Sequence, residues 1–204
     1  LDPVTNIDTS FRAQVQDPNT PTTASTLPFE PSPYWGDEVI WDSQVISHNA
    51  MIDQGGRVWY TARGRGPNNP AFCQEGSDHP SAQFFPNARS ARQLALYEPE
   101  TGEYTVVDTC FGTHHLQFAE DDNHTLWTSG GGPVVGWLNT NLYNETGDAA
   151  TSQGWAPMIL DTNGNGRRDA YVEPNQAINP ELDKRINASF YAVMVNPVDG
   201  SVWG

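Results

Sequence analysis

The stretch His48-Asn-Ala-Met-Ile-Asp53-Gln-Gly-Gly-Arg-Val-Trp59-Tyr-Thr61 decides how this chain reads. An apolar run leads to a turn built on Asp53, Gly55 and Gly56, and a second run follows that carries Trp59. Such runs on either side of a Gly-rich turn are the pattern of a β-hairpin. The same order returns in His115-Leu-Gln-Phe-Ala-Glu-Asp-Asp-Asn-His-Thr-Leu-Trp127-Thr-Ser129, and again in Tyr191-Ala-Val-Met-Val-Asn-Pro-Val-Asp-Gly-Ser-Val-Trp203-Gly204. Allowing one residue of difference in turn length, His48, His115 and Tyr191 become equivalent, and so do Trp59, Trp127 and Trp203.

Outward from these units, the runs at 39–41, 57–61, 93–97, 104–107, 126–129 and 134–138 all predict strands. Pro99 and Gly102 supply the turn of a hairpin between the runs at 93–97 and 104–107. No segment holds a period of 3.6 over three turns, although 179–187 has the makings of a short helix. Successive repeat tryptophans are 68 and then 76 residues apart. A four-stranded propeller blade needs about 40–50 residues, so 64–92 and 139–186 read as insertions.

The fold expected is therefore all-β, with propeller-like blades of antiparallel sheet and long loop insertions. A small sheet cannot bury both faces alone, so neighbouring sheets stack, and the recurring Trp would fill the space between them. Two and a half units do not close a ring, since propellers typically have at least about four blades. The expectation is an incomplete ring over 36–204, completed by the remainder of its own chain or by other chains. Residues 1–35 hold Pro3, Pro18, Pro21, Pro28, Pro31 and Pro33 and a Thr-rich run, and read as an extended arm. The chain opens at Leu1 rather than Met, as a processed protein or a fragment would.

Composition supports the class. The 204 residues carry 25 acidic and 10 basic side chains, a net charge of -15, which argues against nucleic acid and anionic membrane partners. Only 17% of residues are charged and 11% are aromatic, with 18 Gly and 16 Pro; disorder and helical bundles both look different. No apolar run is long enough to span a bilayer. The two cysteines, Cys73 and Cys110, read as one disulfide of a secreted or periplasmic protein, or as two buried thiols in a reducing compartment.

The repeat ending in Arg57-Val-Trp59-Tyr-Thr61, followed by Leu96-Tyr-Glu-Pro-Glu-Thr-Gly-Glu-Tyr-Thr105, resembles the streptogramin-lyase-like β-propellers. The likeness covers roughly 38–130 and returns at 191–204. It implies a propeller fold. The family's lyase performs a metal-assisted elimination that opens a cyclic depsipeptide with a His as acid or base; the resemblance carries over the repeat positions and not that catalytic role. The chain departs from that family in its long insertions and missing blades.

Three constellations carry candidate chemistry. The first is Asp161-Thr-Asn163-Gly-Asn165-Gly166-Arg167-Arg-Asp169. Oxygen side chains at alternate positions with Gly at the sixth match a Ca²⁺ loop, in which Arg167 would contribute its backbone carbonyl. Position 12 is Val172, with Glu173 one residue beyond as an off-register closing ligand. The plainer alternative is a metal-free Asn-Gly turn cluster. The second constellation is His48, His114 and His115, as catalytic groups or ligands of a second metal at the axis. The alternative there is imidazoles that satisfy strand backbone. The third is a substrate-binding set, with Arg63, Arg65 and His79 brought beside the histidines if Cys73 pairs with Cys110, and Tyr191 placed there by its repeat position.

No nucleophile elbow, Walker loop, dinucleotide fingerprint or His-Glu-x-x-His sequence is present. Two readings of function follow. One is an exported, calcium-stabilised binding or structural module with a protein or polymer partner. The other is a metal-assisted carbon–oxygen lyase or a hydrolase.

Overall fold

The computed structural model of the chain describes residues 46–63, 66–130 and 132–204. The extended arm expected over 1–35, the strand expected at 39–41 and Arg65 lie outside the described residues. The rest is mostly β, in open sheets that are antiparallel apart from one short parallel pair.

The first sheet is formed by β1 (Ile46–Ile52), β2 (Val58–Arg63), β3 (Gln93–Glu98) and β4 (Glu103–Val107), each paired with the next. The second repeats that plan with β5 (Leu116–Phe118), β6 (Thr125–Thr128), β7 (Val134–Asn139) and β8 (Gln153–Pro157). The expected strands at 57–61, 93–97, 104–107, 126–129 and 134–138 are all present within a residue or two. Strand β8 falls inside the range expected to be an insertion. Its five residues are all buried, so it has no polar alternation to betray it.

The period of two along each strand sorts side chains to opposite faces. Trp59, Leu94 and Val107 leave the first sheet on one face and meet Leu116, Leu126 and Leu138 of the second. Trp59 is fully buried there, between the two sheets. Burying a side chain of this size contributes on the order of 3 kcal/mol. Tyr60, Ala95, Tyr104 and Val106 take the other face. Each repeat turn is pinned by a carboxylate. Asp53 accepts from Gly55 and Arg57, Asp121 from Thr125, and Asp199 from Ser201.

The third repeat forms a short hairpin, β12 (Met194–Val195) with β13 (Val202–Trp203). Trp203 is exposed, unlike Trp59. Strand β5 lies beside both β1 and β12, so the first strands of all three repeats run side by side.

The long segments are structured too. Helix α1 (Pro80–Phe84) packs on β8, and the disulfide Cys73–Cys110 sits in a buried cluster with Ala82, Phe111, Val134 and Trp155. Helices α2 (Thr140–Thr146) and α3 (Ala149–Ser152) join β7 to β8. Strands β9 (Ile159–Leu160), β10 (Tyr171–Val172) and β11 (Asp183–Arg185) make a small third sheet. The expected helix at 179–187 is therefore not formed. Asp183 and Lys184 pair with Tyr171 and Val172, and Lys184 and Arg185 pair with Leu160 and Ile159. No helix among the described residues is long and apolar enough to cross a membrane.

Candidate functional site: a histidine cluster where the repeats begin

A β-bulge places the first histidine. Ser47 pairs with Ala62 and Ala50 with Tyr60, so His48 and Asn49 together oppose the single residue Thr61. Bulges re-aim side chains, and they concentrate near functional sites. Here the bulge also stitches the two sheets together. Asn49 N donates to Thr61 Oγ1, Thr61 Oγ1 donates to the carbonyl of His114, and Leu116 N donates to Asn49 Oδ1.

The other two histidines stand on the short segment that enters β5. That segment runs against the residues leaving β6. His115 N donates to Ser129 Oγ, and Ser129 N to His115 O. Glycine is required where these segments meet, because a Cβ on Gly130 would run into the carbonyl oxygen of Gly112.

Three imidazoles thereby converge. His48 stacks on His114 with ring centroids 4.6 Å apart. His115 lies 5.4 Å from His48 and 4.2 Å from His114, measured between ring centroids. Their ligating nitrogens all fall within 4.8 Å of one another. Tyr191 closes one side, its ring 4.9 Å from His114 and 5.0 Å from His115. The residues expected to ring the inner strands, His48, His114, His115 and Tyr191, are thus brought together.

The backbone carbonyl of Tyr191 orients the cluster. His115 Nδ1 is 2.9 Å from it, His114 Nδ1 is 3.4 Å from it, and Ser129 Oγ donates to it at 2.6 Å. A carbonyl oxygen only accepts, so both imidazoles present Nδ1–H to it and leave Nε2 as the nitrogen placed to ligate. This outer partner is what metal-ligating histidines usually have. Desolvation, and then the neighbouring His114, Arg92 and His115, push His48 below its ordinary pKa and favour its neutral form. Tetrahedral ligation at about 2.0–2.1 Å brings donor nitrogens to roughly 3.3 Å. Exposed His48 has room for that adjustment. Three imidazoles suit a zinc-class ion better than Ca²⁺ or Mg²⁺.

The remaining expected residues are distributed differently. Arg63 lines a pocket of about 360 Å³ with His114 and Tyr191. Arg92 lines it too, and no sequence pattern singled it out. His79 is elsewhere, despite the disulfide. It stacks on Trp155 at 4.6 Å, accepts from Ser81 N as the cap of α1, and sets Nε2 against the carbonyls of Ala150 and Gln153. Its role is to dock α1 onto α3 and β8.

The 161–169 loop is compact. Asp161 accepts from the amides of Gly164, Asn165 and Gly166. Both Asn163 and Asn165 turn their amide nitrogens to Asp169. Glu173 is bound by Arg185 at 2.6 Å and does not join the loop. A carboxylate that sequence reasoning missed lies next to it. Asp183 is fully buried, accepts from Asp169 N, and has an Oδ1 without a hydrogen-bond partner.

No family model matches this chain, and neither any curated protein nor any solved structure does.

Proposed function

We propose that the chain is part of an exported β-propeller enzyme whose three-histidine metal site, at the inner strands, serves metal-assisted lyase or hydrolase chemistry. The convergence of His48, His114 and His115 around the Tyr191 carbonyl carries this reading. The propeller reading draws support from two successive four-stranded meanders packed through Trp59, and from the adjacency of β1, β5 and β12. Export draws support from the Cys73–Cys110 disulfide, which suits an oxidising compartment.

Within this reading His114 and His115 are ligands held in one tautomer, and His48 is the third, adjustable ligand. An ion held by them would supply a Lewis acid and an acidified water at its open position. Tyr191, 75% exposed beside two of the imidazoles, forms the accessible wall against which a substrate would lie. The test is calorimetric titration of the full chain with Zn²⁺. One site is expected, weakened more than about tenfold in His115→Ala and about tenfold in Ser129→Ala, which loosens the orienting carbonyl. Equal affinity in wild type and His115→Ala would overturn the assignment.

A second reading, a calcium-stabilised binding or structural module with a protein or polymer partner, is favoured by the 161–169 loop. It has the alternating oxygen side chains and the Gly at position 6 of a Ca²⁺ loop, and Asp161 accepts from three backbone amides that hold the turn tight. Loading Ca²⁺ would need Asn163 and Asn165 to turn their amides so that oxygen faces the ion. The two readings are compatible, since one ion would stiffen the chain and the other would work at the inner strands.

A further inference from the structure

We infer that the pocket beside the histidines is an oxyanion subsite, in which Arg63 and Arg92 hold a carboxylate or phosphate group of the substrate. This rests on the reading of the histidine cluster as the place where a substrate lies.

Ala62 pairs with Gln93, so the antiparallel ladder continued by one residue sets Arg63 opposite Arg92. Like charges directly opposite one another destabilise a strand pair. A site that keeps two guanidiniums there gains from an anion between them. Burial, and then the charge of Arg63, push the Arg92 pKa down from its usual value, the direction such crowding imposes.

Arg92 Nη1 is buried without a hydrogen-bond partner. Leaving a charged donor desolvated and unpaired is among the costlier local arrangements in a protein. Neither arginine has an ion-pair partner among the described residues. Arg63, Arg92, Thr113, His114, Ser189 and Tyr191 contribute to the pocket, and no carboxylate does among the described residues. In a chain with 25 acidic and only 10 basic residues, that is a marked local reversal of sign. Arginine's planar fork matches carboxylate and phosphate oxygens two at a time.

The experiment titrates the full chain, with chelator present, against inorganic phosphate and separately against acetate by calorimetry. A parallel Co²⁺ absorption titration follows the histidines. At least one anion is expected to bind wild type, and its identity distinguishes a phosphate from a carboxylate substrate. Arg92→Lys, which keeps the charge and loses the fork, and Arg63→Gln should each weaken that binding about tenfold. Both should leave the Co²⁺ spectrum unchanged. Arg63→Gln also guards against misfolding of the other variant, with melting curves as the control. If neither anion binds wild type, or if both variants bind as tightly as wild type, the subsite is refuted. Anion binding without a Co²⁺ site would sustain the subsite and sink the metal reading. A Co²⁺ site without anion binding would do the reverse.

Discussion

Asp53 holds four donors at once. Gly55 N and Arg57 N reach one oxygen, and Trp59 Nε1 and the Arg57 guanidinium reach the other. Burial alone would raise its pKa, but the bonds from Trp59 and Arg57 outweigh that and hold the carboxyl below its ordinary 3.8. A depressed folded pKa gives stability that is complete above the unfolded value and is lost as pH falls through the folded one. Asp53→Asn is expected to cost about 1–3 kcal/mol at neutral pH, because an amide opposes two of the four donors. It should also flatten the acid limb of melting temperature against pH, which scanning calorimetry in acidic buffers reads. An unchanged acid limb would show that this carboxylate does not anchor the turn. The role of Asp53 as a turn residue is legible in the sequence, from its place before Gly55-Gly56. Arg92 is not, because its significance depends on which residue faces it across β2 and β3. His79 misled for a related reason. The disulfide does tie its loop to Cys110, but the stacking surface of Trp155 decides where the imidazole goes.

At the scale of elements, strands with alternating faces were readable, and those without them were not. β2, β3, β4, β6 and β7 announce themselves by β-branched and aromatic runs between turns. β8 is buried along its whole length and follows two short helices, so nothing in Gln153–Pro157 alternates. β11 looked helical because its local residues permit a helix, and only pairing with β9 and β10 makes it a strand. The bulge at His48 and Asn49 is invisible in a single sequence, since the extra residue shows only against Thr61. The 161–169 loop was readable as a ligand spacing, but the capture of Glu173 by Arg185 was not. If this loop takes Ca²⁺, melting temperature should rise with added calcium and fall back with chelator. At a hundredfold excess over the dissociation constant the gain is about 2.7 kcal/mol, or roughly 5–10 °C for a chain of this size. No shift in either direction would remove calcium from the account.

Over the whole molecule, the site exists because three segments far apart in sequence meet. His48 comes from the bulge in β1, His114 and His115 from the entry to β5, and the Tyr191 carbonyl from just before β12. Their equivalence was readable from the repeat, since each stands at the start of a hairpin that ends in Trp. Their convergence follows from the sheets packing face to face through Trp59, with the first strands adjacent. The same packing leaves Arg63 and Arg92 beside the imidazoles in a molecule whose overall charge is -15. The most direct measurement is X-ray absorption at the zinc edge of the Zn²⁺-loaded full chain. The account predicts three imidazole nitrogens at about 2.0–2.1 Å, with an oxygen donor completing the shell. A shell of oxygen donors alone, or one with fewer than two imidazoles, would contradict it.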